Sequence, residues 1–403
     1  MNSDVISDNQ APGLPTLLVL LLPLSAGITV ANIYYCQPLL ATFASFFHAS
    51  PGAGSTVAVA TQAGYAAGLL FLTPLGDLYE RKRLILLTTT LSAFSLLAVA
   101  LSPSLQWMLY ATFLTGMVTI TPQLLVPYAV GLASPERCGR TVGMVVSGLL
   151  TGIIASRAVS GFIGEHAGWQ AVYWAAAVVM FLLTAVLAIT LPRQRPPQER
   201  PMRYLQVIGS LWRLLRREPV LRRHAVVGAF GFASFSTFWT ALAFHLSSLP
   251  GRYGSETAGL FGLIGITGAF VAPFAGRVAD RWDARKVNGG ALFMVLASFA
   301  IMAVNGGGSL RILAIGVFLL DAGLQTSNIS NQTRIQRLAP ELRSRLNSVY
   351  MFISFCGATA GAALTTFCWT WGDWAAVCLL GGGLALGGIG ALFTIGHAAT
   401  GSP

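Results

Sequence analysis

The sequence predicts an all-α integral membrane protein of twelve spans in two six-helix halves, and three observations carry that expectation. Of 403 residues, 54% are hydrophobic and only 10% charged, against roughly 25% charged in a soluble domain. Twelve apolar segments reach the ~20 residues a helix needs to cross a bilayer. The chain also repeats itself: SPERCGR (134–140) returns as APELRSR (339–345), each with two arginines and the last one in register. The same offset of 205 lays Trp169 on Trp374, Phe113 on Phe318 and Gly116 on Asp321. A parallel repeat of two six-helix halves suits an alternating-access carrier with its site between the halves.

Taken in order, the spans of the first half are expected at 14–40, 55–76, 84–102, 105–132, 141–163 and 168–191. Those of the second half fall at 224–248, 255–276, 287–304, 310–331, 346–369 and 374–396. The first run follows Asp4 and Asp8 without a basic region and continues past Asn32, so it reads as a retained span and not a cleaved signal. Between the halves, residues 193–223 carry nine arginines among prolines and polar residues. They divide the chain into 1–192, 193–223 and 224–403, and LWRLLRREPVLRR in the latter part has the pattern of an amphipathic helix on the inner leaflet.

Charge sets the orientation. The even-numbered connections hold 22 of the 25 basic residues; the odd ones hold Arg252 and Arg311, and Arg157 lies inside a span. By the positive-inside rule the even connections and both termini are expected in the cytoplasm. The net charge of +11 is then an orientation signal, and its spread over separate connections argues against nucleic acid as a partner. The two lysines, Lys82 and Lys286, lie outside the apolar runs, which argues against a Schiff-base pigment. The five cysteines form no CxxC pair and read as small packing residues. An enzyme would need metal ligands or a phosphate loop, and the chain has neither HExxH nor GxxxxGK[ST]. The expected partners are a small-molecule substrate and the bilayer, with the chain acting as a monomer. No cofactor is expected, and a proton gradient is the energy source considered.

TPLGDLYERKRL at the second connection and AGRVADRWDARKV at the eighth resemble the paired G-x-x-x-D-R-x-G-R-R motifs of the major facilitator superfamily. The resemblance spans the chain: twelve spans, a long central connection and the motif in both halves. It implies the major facilitator fold and an inner latch made by Asp77 and Arg81 in the first copy. Gly276, Asp280, Arg281 and Arg285 match the second copy. Asp77 is expected to meet the positive N-terminal end of the eleventh span, and Asp280 that of the fifth. Thr73, Leu78 and Glu80 depart from the first motif, and the second has an extra residue before Arg285. The fifth span, GLLTGIIASRAVSGFIGEHAGW, resembles the superfamily's antiporter motif with Arg157 at its proline position. Gly148, Gly152, Ser156, Ser160 and Gly164 form a small-xxx-small ridge for close packing. With ANIYYCQPLL and the NQTR stretch, the chain looks like a bacterial efflux-type branch of the superfamily, which implies a place in a bacterial inner membrane.

Spans one, four, seven and ten resemble cavity-lining helices, and helical periodicity tests that separately. The first carries Ser25, Thr29, Asn32 and Cys36 on one face, bordered by Tyr35, while Tyr34 points elsewhere and is assigned to the interface. The fourth carries Thr112, Thr115, Thr119 and Gln123, and the tenth Asp321, Gln325, Asn328 and Gln332. The seventh brings Phe235, Phe238 and Trp239 beside Ser236, Thr240 and His245. A carboxylate at mid-span costs ~2.5–3.5 kcal/mol on insertion scales, so Asp321 must face protein or water. Arg157 is the intramembrane opposite charge. Two transport readings follow. In the first, Asp321 exchanges its proton for a small, partly apolar compound and drives its export. In the second, Arg157 binds a small organic anion that is taken up by symport or facilitated diffusion.

Overall fold

The computed structural model describes residues 16–134, 138–194, 204–265, 283–338 and 342–394. Among them, ten helices are long and apolar enough to span a membrane. The last, Arg343–Phe393, leaves helical geometry at Gly372 and Asp373 and so holds the eleventh and twelfth spans. The eighth begins at Ser255 and ends in a cap at Gly265, where the described stretch stops. The result is a twelve-helix, two-bundle fold.

Local sequence sets the helix ends. Ser50 and Ser104 accept from the backbone N–H of Ala53 and Trp107, and Asp283 accepts from that of Arg285, the ordinary N-cap arrangement. Proline, lacking an N–H, breaks two spans. The first span passes through a 3-10 turn at Gln37–Leu39 around Pro38 and resumes as Leu40–Phe46. The fourth divides into Leu105–Val118 and Thr121–Val130, with Pro122 at the restart. The seventh span begins at Pro219, within the stretch expected to be connection, because Glu218 and Pro219 start a helix that runs to Ser248. Ahead of it lies the amphipathic helix Tyr204–Arg217. Its Val207 and Leu211 are buried, and the Tyr204 hydroxyl donates to Phe71 O at 2.7 Å.

Packing repeats with the sequence. The first span rests on the fifth, where a side chain on Gly148 or Gly152 would strike the backbone of Pro23 or Gly27. The seventh rests on the eleventh in the same way, with Gly357 and Gly361 against Ala229 and Ala233. The 205 offset places Gly357 on Gly152. These close backbone approaches are how spans associate where lipid removes the hydrophobic drive.

Candidate functional site

Arg157 sits 1% exposed where the halves meet, and its surroundings come from four spans. The turn at Pro38 directs Gln37 inward, and Arg157 Nε donates to Gln37 Oε1 at 2.7 Å. The guanidinium lies over Trp239 of the seventh span, 3.8 Å from the ring centroid, with Tyr34 at 4.9 Å and Phe235 at 5.4 Å. Cation–π contact of this kind is worth roughly 2 kcal/mol or more once desolvated. Its alkyl stem rests on the eighth span: a Cβ on Gly262 would be 2.7 Å from Arg157 Cβ. Arg157 Nη2 is buried without a hydrogen-bond partner.

Asp321, 5% exposed, occupies the next turn of the same surface. Its Oδ2 lies 2.9 Å from where a Cβ of Gly265 would be. The carboxylate is within electrostatic reach of Arg157 and beside Trp239, yet the two charges make no direct ion pair among the described contacts. Asp321 Oδ1, Trp239 Nε1, Thr240 Oγ1 and both amide atoms of Asn32 are also buried without a hydrogen-bond partner.

The polar stripes divide on inspection. On the fourth span, Thr112, Thr115 and Thr119 return their hydroxyls to carbonyls of their own helix, at 2.8, 2.9 and 2.6 Å. That helix packs directly on the second span, where a Cβ on Gly116 would strike Thr61 O. Thr119 is therefore buried in helix packing and does not line a cavity. Gln123, lower on that span, joins the halves: it donates to the Tyr65 hydroxyl at 3.2 Å and accepts from Asn347 Nδ2 at 3.4 Å. On the tenth span, Asn328 accepts from the Tyr350 hydroxyl at 2.8 Å and from Gln332 at 3.2 Å, while Gln325 is half-buried. Tyr35 is half-buried against the apolar core to which both halves contribute. Tyr34, assigned from sequence to the membrane interface, instead packs under Arg157, because the helix ends there and swings its ring inward. His245 is buried, stacked on Trp374 at 3.9 Å and bonded to Gly307 O at 3.1 Å.

Sequence reasoning passed over Gln37 and the glycines of the eighth span. The signal for the latter was present, since Gly259, Gly262 and Gly265 recur every third residue.

At the face bearing the arginine-rich connections, Asp77 Oδ2 lies 3.7 Å from Arg345 Nε, in the first turn of the eleventh span. Arg81 reaches Pro127 O at 3.4 Å. Asp280 and Arg281 fall outside the described residues; Arg285 contributes its backbone N–H to the Asp283 cap. At the opposite face, Glu165 Oε2 accepts from Ser255 N at 2.8 Å and Ser255 Oγ at 3.1 Å, tying the fifth span to the start of the eighth.

Comparison with known proteins agrees with this architecture. The chain is 40% identical over 369 residues to the uncharacterized transporter YgaY of Escherichia coli O157:H7, covering 92% of this chain and 93% of that one. Its fold matches a point mutant of the nucleoside transporter NupG with a TM-score of 0.73 at 15% identity, over 94% of this chain and 99% of the other. It also matches the human organic anion transporter MFSD10 with a TM-score of 0.69 at 16% identity, over 94% and 100% of the two chains. The Major Facilitator Superfamily profile matches residues 22–362 and again 255–401. The chain is thus a multi-pass inner-membrane transporter of small molecules, not an enzyme, and it belongs to the Major Facilitator Superfamily of secondary transporters.

Proposed function

We propose that the chain carries a small organic anion, taken up by symport or facilitated diffusion, with Arg157 as the anion's partner. One observation carries this reading. Arg157 is a buried cation held by a neutral amide and aromatic faces, with Nη2 left unpaired. A buried charge that no direct ion pair neutralises is costly, and a bound anion would remove that cost. Organic anions and nucleosides are what the names of two fold neighbours mention, which favours a polar organic solute over a purely apolar one. Asp77 with Arg345 serves as a latch on the arginine-rich face, which this reading takes to be cytoplasmic together with both termini. The bundles follow the expected division at 193–223, with the second opening on the helix that starts at Pro219, and the carrier works as a monomer.

A second reading, proton-driven export with Asp321 as the proton carrier, draws on Asp321 Oδ1 being buried and unpaired. Transport by purified protein in liposomes separates the two. Under the anion reading, Arg157→Ala lowers uptake of the recognised anion about 100-fold or more, in line with loss of a charge-assisted hydrogen bond and its packing. Asp321→Asn is then mild. Under the export reading, Asp321→Asn still exchanges substrate but no longer accumulates it against its gradient when a pH gradient is imposed.

A further inference from the structure

Gly262 and Gly265 lie three residues apart on the eighth span, a rise of about 4.5 Å. The first supports the Arg157 stem, and the second lies against Asp321 Oδ2. Arg157 and Asp321, opposite charges from the fifth and tenth spans, thus rest on one surface of the eighth span, with Trp239 beside both. They do not neutralise each other. Arg157 commits Nε to Gln37 and its face to Trp239, leaving Nη2 free, while Asp321 keeps Oδ1 free.

A simple monoanion fits this arrangement poorly. It would satisfy Arg157 but bring a second negative charge to within a few ångströms of a buried carboxylate, and like charges at that range repel strongly in a low-dielectric site. A simple cation has the converse fault. A solute bearing both charges satisfies both free atoms at once.

We propose that the substrate is amphoteric: a carboxylate-class anion for Arg157 Nη2 and an ammonium or N–H donor for Asp321 Oδ1, carried on one small molecule as in an amino acid. This rests on Arg157 being the anion's partner and adds the demand made by Asp321. The test uses full-length protein in detergent, with ligand-induced thermal stabilisation as the readout. The probes are matched triads on aliphatic and aromatic skeletons: an α-amino acid, the same acid without its amine, and the same amine without its carboxylate. For phenylalanine the partners are 3-phenylpropanoate and 2-phenylethylamine.

In at least one triad the amino acid is expected to stabilise the protein at about 10-fold lower concentration than its acid, because a buried hydrogen-bonding site rejects analogues that leave it unpaired. The amine should not stabilise it. Asp321→Asn should remove the preference for amino acid over acid without removing acid binding. If acids act as well as their amino acids throughout, the amphoteric inference falls and Arg157 stays the anion partner. If only amines act, or no member of any triad does, both fall. The wild-type comparison decides between these outcomes even if Asp321→Asn fails to fold.

Discussion

The fifth span crosses the eighth, and the second crosses the eleventh, at positions the 205-residue offset makes equivalent, yet the two crossings are built differently. Gly161 and Gly259 bring the first pair of backbones together, so that a Cβ on Gly259 would lie 3.1 Å from Gly161 Cα. The offset puts Thr366 where Gly161 stands, and there a hydroxyl bond of 2.7 Å joins Thr366 to Ser55. Arg157 in one crossing answers to Ala362 in the other. At the ends, Glu165 caps the eighth span, whereas its counterpart Thr370 bonds only to its own helix, at Phe367 O. Further along, the second crossing holds Tyr65 against Phe355 at 4.5 Å and Asp77 beside Arg345. Repetition supplied two equivalent seams; the buried charges went to the tight one. Close glycine packing excludes lipid and water there, which lets a cation and a carboxylate be held apart at fixed separation.

Substitutions on the two seams measure this difference. The largest effect is expected for Gly161→Val, whose side chain would strike Ser255 O. A cost of about 1–3 kcal/mol or more should lower the melting temperature in detergent by several degrees. Unchanged melting would mean that the fifth and eighth backbones do not touch as described. Glu165→Gln keeps the shape but removes a charge from a helix start. About 1 kcal/mol lost there should raise maleimide labelling of a cysteine placed at Leu39, beneath Gly164, by roughly five-fold. Equal labelling rates would deny Glu165 any part in closing that end.

Effects should be smaller on the other seam. Asp77 and Arg345 are 27% and 28% exposed, so their coupling is screened to about 1 kcal/mol or less. Asp77→Asn should slow turnover a few-fold, with substrate affinity unchanged and the effect shrinking as salt rises. Equal loss of binding and turnover would instead move Asp77 into the substrate site. Thr366→Val, which removes the hydroxyl bond to Ser55, should cost about 0.6 kcal/mol, the average for interhelical hydrogen bonds in membranes. A cost as large as that of Gly161→Val would erase the contrast between the seams.

The sequence by itself determined the class of fold. Apolar runs long enough to span, the offset joining Trp169 to Trp374, and the motif around Asp77 needed no coordinates, because bilayer thickness and backbone hydrogen bonding leave a spanning chain few choices. Helical period marked the stripe of Asp321, and a place inside a span marked Arg157, as charges with a purpose. It could not rank the stripes. Thr119 and Asp321 look alike by spacing, but a threonine can return its hydroxyl to its own helix and a carboxylate cannot. Which partner a face meets depends on contacts between residues far apart in the chain. Gln37 reaches Arg157 across 120 residues through a proline turn. Tyr34 changes sides because its helix ends at that residue. Tertiary structure alone decided that Arg157 and Asp321 share the glycine face of the eighth span without pairing. Their separation is set by where three helices cross, and one-dimensional spacing carries no record of a crossing.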